Sequence, residues 1–190
     1  MRPVFLALGT MALFAQQGDV APAIPPERRP KGALVDKYDE LPLLLGPTSA
    51  KAVLAHRGVF RDNLAVAPPS TKVKARWMAI QQPFTVVVVF GSWCSDSQHQ
   101  LPSLLAFDAA PNPFIELHYL GVNRDKVLDP AAWPQGCTPQ KPSRVPTVYV
   151  FALQPGGAQK LVSYVVETPP RAGQTMAEAV LDIMEGPLAR

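Results

Sequence analysis

Thr85-Val86-Val87-Val88-Val89-Phe90-Gly91-Ser92-Trp93-Cys94 is the stretch on which the fold turns. A β-branched run with no polar interruption reads as a strand buried on both faces, the middle of a parallel or mixed sheet. The chain then turns through Gly91-Ser92 and enters a helix carrying Leu101, Leu104, Leu105 and Phe107. Pro102 lies inside that helix and predicts a kink, because proline has no N–H to give the preceding turn. Cys94 therefore stands at a helix start, where unpaired N–H groups and a partial positive charge favour a thiolate over a thiol. The thiolate is the nucleophilic form of cysteine, so any chemistry of this chain is expected to centre on Cys94.

The pattern continues outward in both directions. Upstream, Thr48-Ser49 caps a helical stretch through Leu54-Ala55, and a second helix is expected from about Ser70 to Gln82, with Val73, Trp77 and Ile80 at helical spacing. Downstream, Phe114 to Leu120 alternates as a second strand, and Asn123-Arg124-Asp125-Lys126 leaves it as a loop expected to be solvated. Residues 127–144 are irregular and Pro-rich. Val145-Pro146-Thr147-Val148-Tyr149-Val150-Phe151 is a third strand, turned by Gln154-Pro155-Gly156-Gly157 into an antiparallel partner at Leu161–Val166. Thr175-Met176-Ala177-Glu178 is a capping box opening a last helix, which ends at Gly186-Pro187. The expected class is α/β: a central mixed sheet flanked by helices, with an N-terminal extension.

Bulk properties restrict the function classes. The chain has 190 residues, 47% hydrophobic and 17% charged, which suits one domain with a sizeable core plus tails. A net charge of +3 with interspersed signs gives no nucleic-acid footprint. Met1-Arg2-Pro3 followed by the apolar run Val4–Ala15 reads as a secretory signal, too short to span a bilayer. Cleavage fits after Ala15 or at Ala21-Pro22-Ala23, so residues 1–23 are assigned to the signal; a buried helix or an uncleaved anchor is the competing reading. Residues 24–47 are a Pro-rich extended arm and 48–190 the domain. Export implies a periplasmic or secreted protein in an oxidising compartment, with no integral membrane segment once the signal is removed.

The strand-Trp93-Cys94-x-x-helix unit, Pro102 eight residues after Cys94, Val145-Pro146-Thr147 and the glycine-turned hairpin before a final helix resemble the thioredoxin superfamily over roughly residues 70–188. The finer run Trp93-Cys94-Ser95-Asp96-Ser97-Gln98, with Asn123-Arg124-Asp125-Lys126 and Val166-Glu167-Thr168-Pro169, resembles a bacterial thioredoxin-like group carrying a Trp-Cys-x-Asp-Ser motif. The resemblance implies a thioredoxin-like fold in which Cys94 is the attacking thiol and Pro146 a cis-proline facing it. It also implies that Val145 offers backbone to an extended client and that Trp93 borders the thiol. Clients would be exported proteins or small thiols, and no cofactor is implied.

The departures from that pattern are equally informative. Ser97 stands where the family's second cysteine would be, so Cys94 cannot close the usual Cys-x-x-Cys disulfide, and the natural product is a mixed disulfide. Ser97 could instead donate a hydrogen bond to the Cys94 sulfur, while the charge of Asp96 opposes a thiolate nearby. The buried carboxylate that thioredoxins carry on the strand before the motif is replaced here by valines and Phe90. Cys137, nine residues before Pro146, is either a resolving or bridging partner of Cys94 or unconnected with it. Three functions compete: a thiol–disulfide oxidoreductase, a non-catalytic binding or assembly module, and a peroxide-reducing thiol. The last lacks the threonine expected three residues before its cysteine, where Gly91 stands. His99 is expected as a solvated surface side chain on the helix after Cys94, and His56, His118 and the two cysteines have no metal-ligand spacing.

Overall fold

In a computed structural model, residues 34–38 and 40–186 are described. The stretch expected to be a secretory signal, and the expected arm up to residue 33, lie outside the described residues. A five-stranded mixed sheet has the order β1-β3-β2-β4-β5, with β1 Gly46–Thr48, β2 Phe84–Phe90, β3 Ile115–Gly121, β4 Thr147–Leu153 and β5 Gln159–Val166. β2 runs parallel to β3 and antiparallel to β4. The all-buried valine run thus occupies the centre of the sheet, as expected, because it has apolar side chains for both faces.

The two faces are covered differently. Val86, Val88 and Phe90 face a core into which α1 (Ala50–His56), α2 (Gly58–Val66), α3 (Thr71–Ala79), α5 (Pro102–Leu105) and α6 (Met176–Glu185) send Val53, Phe60, Trp77, Leu104 and Val180. Trp77 stacks on Phe107 at 4.2 Å between ring centroids. Val87 and Val89 face a second cluster, covered by the irregular 122–145 segment through Val122, Trp133, Cys137 and Val145. Trp133 meets Tyr149 and Phe151 edge-on. Proline-rich chain takes the place of a packed helix there, anchored by one large aromatic side chain.

Pro102 does break its helix: α4 spans Ser95–Gln100 and α5 begins at Pro102 itself. The capping box forms, with the Thr175 hydroxyl accepting from Glu178 N–H and the Glu178 carboxylate accepting from Thr175 N–H. Two elements depart from expectation. Residues 58–66 form α2, where no helix is expected. Residues from the stretch expected as an extended arm pair within the fold. Val35 bridges to Pro42, and β1 pairs antiparallel with β3 from Gly46↔Gly121 to Thr48↔Tyr119. Gly121 permits this approach, since a Cβ there would lie 2.2 Å from the Leu44 carbonyl oxygen.

Candidate functional site

β2 delivers the chain at Phe90, and four residues later Cys94 caps α4. Cys94 is half-buried, and its thiol donates to the Val145 carbonyl at 3.2 Å. The Val145–Pro146 peptide bond is cis, and Val145 itself is buried. β4 starts at Thr147, beside Val89 of β2. The antiparallel pairing of β2 and β4 therefore carries the two ends of the site, 51 residues apart in sequence, to the same edge of the sheet. The Pro146 carbonyl accepts the Glu167 N–H at 2.7 Å, and Thr147 Oγ1 donates to the Arg144 carbonyl at 2.7 Å, which fixes the turn from both sides.

Trp93 is held at two places. Its Nε1–H donates to the Val122 carbonyl at 3.0 Å, and its ring lies against Gly91, where a Cβ would sit 2.6 Å from Trp93 Cε2. A threonine at position 91 would displace the indole. Gln98 Nε2 donates to the Ser92 carbonyl at 2.9 Å, and Ser92 Oγ accepts from the Leu44 N–H at 3.3 Å, bringing the N-terminal segment against the loop that precedes the thiol.

The structure thus brings Trp93, Cys94, Val145 and Pro146 together. Ser97 is fully buried one turn into α4 and accepts the Gly91 N–H at 3.3 Å. Among the described residues no hydrogen bond joins it to Cys94, so it ties the helix to the strand end. His99 is exposed.

Cys137 is not brought to the site. Both cysteines are free thiols. Its neighbour Gly136 lies against Gln159, where a Cβ would meet Gln159 Cγ at 3.2 Å, and Gln159 pairs with Leu153 at the far end of β4. Thr147 and Leu153 are six residues apart on one strand, about 20 Å at the usual rise. Cys94 and Cys137 are not bridged in this structure, and Gly136, beside Cys137, lies against the hairpin end of β4. Burial pushes the Cys137 thiol up to about 11, with the Glu116 carboxylate adding to the effect. Cys137 is a core side chain shielded from solvent.

Sequence reasoning misses a cluster beside Trp93. Arg124, expected in a solvated loop, stacks its guanidinium 4.3 Å from the Trp93 ring centroid and 4.4 Å from that of Tyr38. It also pairs with Asp36 at 2.8 Å. The only trace in the sequence is Asn123-Arg124 at a strand end; nothing in a Pro-rich lead-in singles out Asp36. Among the described residues, no group of histidine, cysteine or acidic side chains could hold a metal ion, and no helix is long and apolar enough to cross a membrane.

No family model and no curated protein matches the chain. Two solved structures are similar to it. One is a crystal structure of an HIV epitope-scaffold, at 23% identity and a TM-score of 0.44 over 72% of this chain and 85% of that one. The other is a protein of unknown function from Pseudomonas aeruginosa, at 22% identity and a TM-score of 0.42 over 74% of this chain and 82% of that one. Likeness at this level assigns no activity.

Proposed function

We propose that the chain is an exported thioredoxin-like thiol protein that exchanges disulfides with exported client proteins or small thiols through Cys94. The observation that carries this reading is the sulfur of the partly buried Cys94, 3.2 Å from the carbonyl of Val145, the residue before the cis-proline. A sulfur at that point can be reached by a client, and the backbone beside it can align an extended strand. The apolar N-terminal run Val4–Ala15 supports export to the periplasm or beyond.

Deprotonated Cys94 attacks one sulfur of a client disulfide. The client S–S bond breaks, its other sulfur leaves as a thiolate and takes a proton from water, and a Cys94–client disulfide forms. With Ser97 in the second position and Cys137 at the other end of the sheet, the adduct is resolved by a second thiol, from the client or a small molecule, which regenerates the Cys94 thiol. The same lack of an internal partner favours, as second reading, a non-catalytic binding module built on this fold.

Purified protein incubated with a small disulfide and with a disulfide-bonded peptide, acid-quenched and weighed intact, separates the two readings. Catalytic exchange gives one adduct in wild type and in Cys137→Ser and none in Cys94→Ser. An unmodified wild-type chain after prolonged incubation leaves the binding module as the correct reading.

A further inference from the structure

Arg124 has features that a solvated loop side chain lacks. Its Nε and Nη2 both donate to the Asp36 carboxylate, at 3.0 and 3.1 Å, so the plane of the guanidinium is fixed by a two-point fork. A surface ion pair contributes little. Here, however, the acid side chain is only 1% exposed, and a buried carboxylate depends strongly on its partner. The fixed guanidinium is flanked by two rings, Tyr38 from the N-terminal segment and Trp93 from the thiol loop. Two residues earlier, Val122 accepts the Trp93 indole N–H. The 122–124 segment thus grips both the edge and the face of one indole, and that indole belongs to the residue next to Cys94. Trp93 and Cys94 pack against the same apolar cluster as Val145.

We propose that Arg124 is a positioning residue of the thiol site, holding Trp93 as a fixed wall beside Cys94, and that Asp36 of the N-terminal segment holds Arg124 in place. The segment is therefore part of the site and not a tether. This deepens the thiol-exchange reading and rests on it for its effect on rate, whereas the restraint of the indole is testable without it. A lysine cannot replace Arg124, since it has neither the flat face nor the fork. A fixed wall matters for a client that lies along the groove and hardly at all for a reagent of a few atoms.

The test uses the full chain with Arg124→Met, Arg124→Lys and Asp36→Asn. Indole N–H exchange is followed by NMR, with the Trp93 resonance assigned through Trp93→Phe. Cys94 reactivity is measured with methyl methanethiosulfonate and with a peptide bearing a thionitrobenzoate mixed disulfide. With the latter, Cys94 takes the peptide sulfur and thionitrobenzoate leaves. In all three variants the Trp93 indole is expected to exchange roughly five-fold faster or more, as loss of a cation–π contact implies, with Trp77 and Trp133 unchanged. The peptide rate is expected to fall by a similar factor, and the small-reagent rate to stay within about two-fold. Unchanged Trp93 exchange in Arg124→Met, full rescue by Arg124→Lys, or an equal fall with both reagents overturns the proposal. If wild-type Cys94 reacts with neither reagent, the exchange reading has failed, while the indole measurement still decides the positioning role.

Discussion

At the residue scale the two cysteines are opposites. Cys94 lies where a loop meets a helix, partly buried and against a carbonyl. Cys137 is 7% exposed, among aromatic and aliphatic side chains, with its ionisation pushed up to about 11 from an ordinary value of 9. A folded-state value above the unfolded one means that the folded chain holds this proton more tightly. The associated stability is complete below pH 9 and is lost as pH rises from 9 towards 11. Over that window the loss is on the order of 2 kcal/mol. Denaturant unfolding of wild type and Cys137→Ala, repeated between pH 8 and 11, is expected to show a steeper decline for wild type. The difference between the two proteins isolates the cysteine from the tyrosines, of which Tyr119 and Tyr149 are both shifted upward chiefly by burial. Parallel declines would mean that Cys137 ionises as freely folded as unfolded.

At the scale of elements, the glycine that ends β3 decides whether the N-terminal segment can dock. A Cβ on Gly121 would meet backbone atoms of Leu44 at 2.2 and 2.7 Å, and backbone cannot rotate away as a side chain can. Gly121→Ala is therefore expected to pry β1 off β3 and cost about 1–3 kcal/mol. Hydrogen exchange should report it as lost protection at residues 44–48, with β2 and β4 unaffected; unchanged protection at the β1–β3 pair would contradict the docking described here. The same edge shows what could be read in advance. β2 was legible because four consecutive valines suit only a doubly buried strand, α6 because Thr175 and Glu178 sit at capping-box spacing, and the break at Pro102 because proline lacks the N–H. β1 was not legible. Gly46-Pro47-Thr48 has no alternation to detect and gains its partner from a strand more than 70 residues away. α2 carries Arg61, Asp62 and Asn63 in its middle and buries Phe60 alone, leaving no apolar stripe to count.

At the scale of the whole molecule, the sheet's connectivity separates the proposed thiol site from the main core. The β2 exit and the β4 entry meet at one end and put Trp93, Cys94, Val145 and Pro146 together. The 123–145 segment crosses the face below and buries Trp133 and Cys137 towards the other end. The thiol and its proline were legible because each is a local motif. The Arg124–Asp36 clamp was not, because its members are 88 residues apart and only folding reveals that they meet. Nor was the position of Cys137, which depends on the path of an irregular segment that no periodicity describes. Under the proposed function the chain has one working thiol. Stopped-flow mixing with excess neutral aromatic disulfide at neutral pH tests that most directly, using wild type, Cys94→Ser and Cys137→Ser. The expected trace has a fast phase of one thiol per chain, missing in Cys94→Ser and intact in Cys137→Ser, and a phase on the order of 100-fold slower from the shielded cysteine. A single slow phase in wild type, or a fast phase that survives in Cys94→Ser, would contradict it.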